Sequence, residues 1–214
     1  MNNVLWYILF AAGGYLIGCI NTAAIIARCK GFDIRTKGSG NAGASNALVT
    51  MGKGAAVCSA LVDILKAFLP VFLLLHVFSL DGFPPHLPIL TGAAVILGHM
   101  FPFWMQFRGG KGFASLLGLT LALDWRFFFV CIAILAVLLF STRYIALATI
   151  ACAAITPVWW GLHTRSIPEA ILLGAVGICM IVRHFPNLKR IKNGTEIKFR
   201  EKKKDPADDK QDQT

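Results

Sequence analysis

Apolar residues in this chain come in long unbroken runs, not in the alternation of half-buried strands or the one-sided stripes of soluble helices. Residues 4–27 carry no charge and exceed the roughly 20 apolar residues that take a helix across a bilayer. A second run, 54–78, is interrupted only by Asp63 and Lys66. Further runs cover 89–107, 113–123, 127–139, 144–162 and 167–182. Between them lie a polar, glycine-rich loop (28–53), a connector with Asp81, Pro84, Pro85 and Pro88, and a break at Asp124, Trp125 and Arg126. From Arg183 onward the chain turns polar. The pattern predicts an all-α polytopic membrane protein with seven transmembrane helices, some of them short. One transmembrane domain would cover 1–197, and 198–214 would be a polar, disordered tail.

Composition removes the soluble alternatives. The chain is 56% hydrophobic and 15% charged, with a mean hydropathy of +0.65, whereas soluble domains carry about 25% charged residues. A globule of 214 residues could not hide that much apolar surface. The six cysteines stand singly without a C-x-x-C pair, which excludes a zinc ribbon or a disulfide scaffold. The net charge of +10 reads as the positive-inside bias and not as a nucleic-acid footprint, since no nucleic-acid motif accompanies it. Charge also fixes the parity of the spans. With seven crossings, loop 28–53, Arg108, Lys111, Arg143 and everything from Arg183 onward share a face, which then holds 18 of the 21 Lys and Arg residues. Six crossings would divide them. The expectation is an outside N-terminus and a cytoplasmic C-terminus. A cleaved signal peptide fits poorly, because the first run lacks a basic segment before it and has Arg28 and Lys30 after it.

Three segments fall on that basic face. The first, Gly38-Ser39-Gly40-Asn41-Ala42-Gly43-Ala44-Ser45-Asn46, follows Asp33, Arg35 and Lys37. Closely spaced glycines let successive backbone N–H groups converge on an anion, and Ser and Asn add donors. The second runs through Gly98, His99 and Pro102 to Arg108-Gly109-Gly110-Lys111-Gly112, placing a lysine among glycines at a helix start, where an anion is already favoured. Its spacing is not that of a Walker A loop. The third, Arg183-His184-Phe185-Pro186-Asn187, puts a His-Asn pair at the expected end of the last helix. Together they suggest two phosphate-sized anions held close to one another. Asp63 and Lys66, at i and i+3, share a helix face near the same membrane surface, either as a structural ion pair or as a wall of the site. A fourth pattern, His76-x4-Asp81, fits the H-x4-D motif of CoA- or carrier-dependent acyltransferases. It falls on the opposite face with no companion motif and reads as coincidence.

These three motifs, in this order and spacing, resemble those of the acyl-phosphate:glycerol-3-phosphate acyltransferases of the PlsY type, over roughly residues 4–197. The resemblance implies a bacterial inner-membrane enzyme whose site faces the cytoplasm. It would acylate the 1-position of glycerol 3-phosphate from acyl phosphate, giving lysophosphatidate and phosphate in the first step of phospholipid synthesis. It implies catalytic roles for Ser39, Asn41, Lys111, His184 and Asn187. Gly38, Gly40, Gly43, Asn46, Gly109, Gly110, Gly112, Arg35 and Arg183 would bind the phosphates, with Asp63, Lys66, His99 and Glu196 in support. No metal or cofactor is called for. Membrane lipid and the soluble enzyme that makes acyl phosphate are the expected partners, and nucleic acid is not. The hydroxyl proton would pass to His184 or to a substrate phosphate. One position departs from the family pattern: Val49 stands where an arginine is usual, three residues after Asn46, so that either another cation such as Arg35 or Lys37 supplies the charge or glycerol phosphate binding differs in detail. A small transporter or flippase is the competing reading, weakened by the lack of an internal repeat and of polar groups at the midplane.

Overall fold

The computed structural model describes residues 2–198, whose regular structure is all helical, with two longer loops, 30–43 and 101–112. Most of the expected 198–214 tail lies outside the described residues. In chain order the helices are α1 (Asn3–Gly18), α2 (Thr22–Cys29), α3 (Ala44–Met51), α4 (Lys53–His76), α5 (Leu87–Met100), α6 (Phe113–Leu123), α7 (Trp125–Thr142), α8 (Ile145–Thr164) and α9 (Ile167–Lys192). Among the described residues six segments are long and apolar enough to cross a membrane, with α1–α2 counted as one; α6 is shorter. At 1.5 Å per residue α6 covers only ~16 Å, against the ~30 Å of a hydrocarbon core.

Helix α5 forms the pole of the bundle, with twelve of its fourteen residues buried. Small residues let α1 lie directly on it. A Cβ on Gly14 would come within 2.6 Å of the Thr91 carbonyl oxygen, one on Gly18 within 2.2 Å of that of Val95, and one on Gly98 within 2.1 Å of that of Tyr15. Helix α7 is the outermost, burying only Phe127 and Cys131. Its exposed Phe129, Val130, Val137 and Phe140 form the kind of apolar face that lipid covers.

The first apolar run is not one helix. It breaks after Gly18, which frees carbonyls that no water can reach inside a bilayer and that therefore need protein partners. Lys66 Nζ donates to Gly18 O (3.1 Å) and Ile20 O (2.6 Å), and Trp104 Nε1 donates to Cys19 O at 2.8 Å. Asn21 then restarts the helix as the cap of α2, accepting from Ala24 N at 2.9 Å. Lys66 therefore acts in the middle of α4, not near a membrane surface. It lies 2.7 Å from Asp63 Oδ1 and 2.9 Å from His99 Nδ1. Charges here cost roughly 2.5–3.5 kcal/mol each on insertion scales, and the mutual pairing with the capped carbonyls offsets that cost.

Contacts along the helices give their directions. His86 before α5 pairs with Glu169 at the start of α9 at 2.8 Å, while Arg183, late in α9, donates to Gly109 O just after α5. So α5 and α9 run the same way. Phe127 stacks on Trp159 and Gly161 packs on Ala170, which makes α7–α8 and α8–α9 antiparallel. Helix α6 starts with Gly112 beside Ile96 and Met180 and proceeds to Leu119 beside Gly92, carrying the chain away from the end where α5 and α9 finish. Loop 30–43, loop 101–112 and the last third of α9 thus meet at one end of the bundle.

Candidate active site

The first glycine segment is shaped by Asn46. Its Oδ1 accepts from Ser39 N at 2.9 Å, and its Nδ2 donates to Ile34 O and Lys37 O, both at 3.0 Å. Gly38 and Gly40 take positive φ (+60° and +73°), and a Cβ on Gly38 would strike Asn46 Oδ1 at 2.1 Å. The side chain of Asn46 is buried with both amide hydrogens engaged, so it braces the loop from beneath instead of facing a ligand. Ser39 and Asn41 flank Gly40, and their side chains carry no hydrogen bond among the described residues. Gly43 caps α3, a helix hidden in what the sequence presented as loop. Asn21, which sequence reasoning passed over as part of an apolar run, ties the segment to the bundle by donating to Ala42 O at 2.9 Å. The Asn-Thr step before Ala23 was a usable helix-start signal.

Arg35 joins the first loop to the second. It holds Asp33 through Nε (3.1 and 3.0 Å) and a terminal nitrogen (2.7 Å), and it donates to Met105 O at 2.7 Å. Hydrogen bonding to Arg35 keeps the Asp33 carboxyl below its ordinary range, and Asp33 in turn pushes Arg35 up. Between these loops opens a cleft of about 400 Å³ lined by Asp33, Arg35, Thr36, Gly40, Gln106, Arg108, Gly109 and Arg183. Gln106 and Phe107 both hold positive φ (+56° and +58°), an uncommon conformation for residues with side chains and one that recurs at functional loops. Gly109 and Gly110 lie against α5, donating to Met100 O and His99 O at 3.0 Å each. A Cβ on Gly110 would sit 1.9 Å from His99 Nε2. No other residue fits there.

Lys111 continues from this loop onto α9. Its ammonium donates to Asn187 Oδ1. Asn187 Nδ2 donates to Glu196 Oε1 at 2.5 Å, and Arg190 Nε holds Glu196 Oε2 at 2.6 Å. Burial, followed by the charge of Arg190, lowers the Lys111 pKa to about 8, with Glu196 partly opposing. Glu196 reaches this network because the chain reverses after α9, where Gly194 at φ +71° and the bond from Thr195 N to Arg190 O turn it back. The expected end of the last helix at residue 182 is corrected by this geometry: α9 runs through Pro186 to Lys192, so His184 and Asn187 lie on one face inside it. The His184 Nδ1 contact with Met180 O is 2.7 Å. A carbonyl can only accept, so Nδ1 carries the proton and Nε2 keeps the lone pair.

Arg35, Gly40, Gly109 and Arg183 are therefore gathered around one cleft, and Lys111, Asn187 and Glu196 form one network beside it. Asp63, Lys66 and His99 are buried beneath, where only His99 meets the second loop, accepting from Gly110 N at 3.0 Å. His76 and Asp81 have unrelated local partners, Phe72 and Ser79.

Known proteins share this architecture. The family model for glycerol-3-phosphate acyltransferase matches residues 8–194. A glycerol-3-phosphate acyltransferase of Thermotoga petrophila is 38% identical over 194 residues, covering 90% of this chain and 96% of that protein. The crystal structure of PlsY, an integral membrane glycerol 3-phosphate acyltransferase, in its glycerol 3-phosphate form superposes with a TM-score of 0.81, and the lysophosphatidic acid form with 0.78. Both are 30% identical and cover 90% of this chain and 95% of theirs.

Proposed function

The chain belongs to the glycerol-3-phosphate acyltransferase family, and from that premise we propose that it transfers a fatty acyl group from acyl phosphate to the 1-hydroxyl of glycerol 3-phosphate. The observation that carries this reading is the meeting of two glycine-built loops at one end of the bundle, each with its own cations. The cleft between them offers Gly40 and Gly109 with Arg35, Arg108 and, from α9, Arg183; beside it Gly110–Gly112 carry Lys111 on Asn187. Two phosphorylated substrates need two such cradles.

In the proposed reaction the glycerol oxygen attacks the acyl carbonyl, the bond from that carbon to the phosphate oxygen breaks, and phosphate leaves with the electron pair. The donor is a mixed anhydride, so no covalent enzyme intermediate is required. Alignment of the two reactants can lower such a barrier by about 7–11 kcal/mol. Lys111 and Asn187 are assigned to the oxyanion and the leaving phosphate. His184 Nε2, with its lone pair free, is assigned the hydroxyl proton. Ser39 and Asn41 are assigned to the first phosphate, with Gly38, Gly43 and Asn46 shaping its loop.

The same reading puts the site on the cytoplasmic side of a bacterial inner membrane, where a soluble enzyme would supply acyl phosphate. It takes 1–197 as the transmembrane domain. It counts seven crossings with the N-terminus outside, supported by the 18 basic residues on one face and by the course of α6 away from the site end. Its eleven residues are too short alone, but the loop before it enters the bundle with Gly109, Gly110 and Gly112 buried and shortens the distance left to cross. Thiol labelling after removal of Cys29 and Cys58 checks this: Ser45→Cys and Thr195→Cys should label from the cytoplasm and Arg165→Cys from outside.

The test of function is transfer by the purified protein in bilayers, with labelled glycerol 3-phosphate and either acyl phosphate, acyl-CoA or acyl carrier protein as donor. Lysophosphatidate acylated at position 1 should form from acyl phosphate alone. Product from a thioester but not from acyl phosphate overturns the donor assignment, and no product from any donor overturns the enzyme reading.

A further inference from the structure

Asp63, Lys66 and His99 are buried in mid-bundle and line neither cradle, yet each cradle leads back to them. Lys66 holds the carbonyls of Gly18 and Ile20. The next residue, Asn21, donates to Ala42 O in the first glycine segment. On the other side, His99 Nδ1 lies 2.9 Å from Lys66 Nζ and 3.2 Å from Asp63 Oδ1. The opposite edge of that imidazole faces Gly110 so closely that a Cβ would be 1.9 Å from Nε2. The main chain of His99 also accepts from Gly110 N at 3.0 Å. Directed bonds, not volume alone, define the cluster. Lys66 aims two of its three protons at helix carbonyls, and Asp63 Oδ1, although 2.7 Å from the ammonium, receives no well-aligned hydrogen bond.

We propose that Asp63, Lys66 and His99 are positioning residues that fix the two phosphate cradles relative to each other, acting through Asn21 on one and Gly110 on the other. The inference rests on the acyl transfer proposed above. Each cradle's own internal bonds, Asn46 to its loop and Lys111 to Asn187, bypass the cluster. Loss of the cluster therefore leaves each substrate its binding site and spoils their alignment. A displacement of about 1 Å can slow a reaction about 100-fold, so kcat should fall by that order while both KM values stay within about threefold.

Removing one charge of a buried pair leaves the other uncompensated and destabilises the fold, whereas removing both is close to neutral. The test compares Lys66→Met, Asp63→Asn and the double variant in bilayers, measuring thermal unfolding beside kcat and both KM values per folded molecule. The double variant should recover the part of the stability that charge imbalance costs the single variants, though not the part lost with the Lys66 bonds to Gly18 O and Ile20 O, and should remain about 100-fold slow. Parental kcat in the folded double variant overturns the inference, because charge balance would then be all that matters. If the double variant does not fold, His99→Asn and His99→Leu decide. Asparagine keeps an amide near the Nδ1 position and should retain most of kcat, while leucine should not. Two variants equally fast, or equally slow, overturn the inference. A parental protein that transfers no acyl group refutes the functional reading and this inference with it; an active parent with unaltered variants refutes only the positioning.

Discussion

Lys111 should make this enzyme lose activity on the alkaline side at an unusually low pH. Burial and the neighbouring Arg190 and Arg183 bring its pKa down to about 8, against an ordinary value of 10.5. If the charged form is needed to receive the donor phosphate, kcat/KM follows the protonated fraction in the free enzyme. For a pKa of about 8 that fraction is about nine-tenths at pH 7, one-half at pH 8 and one-tenth at pH 9. A roughly tenfold fall between pH 7 and 9 is therefore expected. The substrates do not produce it, since phosphomonoesters have their second pKa near 6 and are about nine-tenths doubly ionised by pH 7. Unfolding does not produce it either. A lysine whose pKa is lower in the native state binds fewer protons there than in the unfolded chain. Its contribution to stability therefore rises with pH between about 8 and 10.5, opposite in sign to the activity limb. The assay is kcat/KM from pH 6 to 10 for the parent and for Lys111→Arg, with thermal unfolding measured in parallel. The arginine variant should carry no limb below pH 10. A limb near 8 that persists in Lys111→Arg, or a flat parental profile to pH 10, refutes the role given to Lys111.

Other outcomes follow from the same geometry. Asn46→Ala removes three loop hydrogen bonds, together worth about 2–4 kcal/mol, and should raise KM for one phosphate substrate at least tenfold while leaving the other within threefold. Initial rates with each substrate varied in turn check it. His184→Ala should lower kcat by about 10²–10⁴-fold; a loss under tenfold hands the proton to a substrate phosphate instead. His76→Ala and Asp81→Ala, both exposed and locally bonded, should leave kcat/KM within twofold in the same assay. Val49→Arg should change KM for glycerol 3-phosphate less than about threefold, whereas Arg35→Ala should raise it about ten- to a hundredfold, the effect of a charge-assisted bond to phosphate.

The spans were legible because a bilayer imposes a length of apolar sequence that chance does not produce. What escaped was backbone chemistry inside those spans. The break at Gly18–Asn21 lies in a charge-free run, and its stabilisers, Lys66 and Trp104, are far along the chain. Helix α9 outran its expected end because residues 183–192 are polar, and polarity marks the edge of hydrocarbon, not the end of hydrogen bonding. Within the site, the glycines and their flanking cations could be read as clusters. The links between clusters could not. Arg35 to Met105 O, Asn21 to Ala42 O and Arg183 to Gly109 O all end on carbonyls, which every residue has and no sequence pattern announces. Asn46 shows the converse difficulty: its residue type suggested a ligand contact, and only its burial and its three bonds reveal a brace.

The valine at position 49 is intelligible once the cleft is seen whole. Val49 is 45% exposed on α3, the short helix that begins at Ala44 within the glycine segment, and it does not line the cleft. The cleft already draws guanidinium groups from three separate segments, Arg35, Arg108 and Arg183, and a single carboxylate, Asp33. The excess is two positive charges, close to the −1.5 to −2 or so that a phosphomonoester carries at neutral pH. Arg35 can share in this despite its bonds, since they engage Nε and one hydrogen on each terminal nitrogen and leave two of its five donors free. Lys37 is less suited, with its ammonium 4.1 Å from the centre of the Phe32 ring and its side chain exposed. A further cation at 49 would overshoot the charge of the proposed ligand and add like-charge repulsion to the empty site. In this chain the positive charge of the cleft comes from the loops and from α9, and α3 is left to supply Asn46 beneath them.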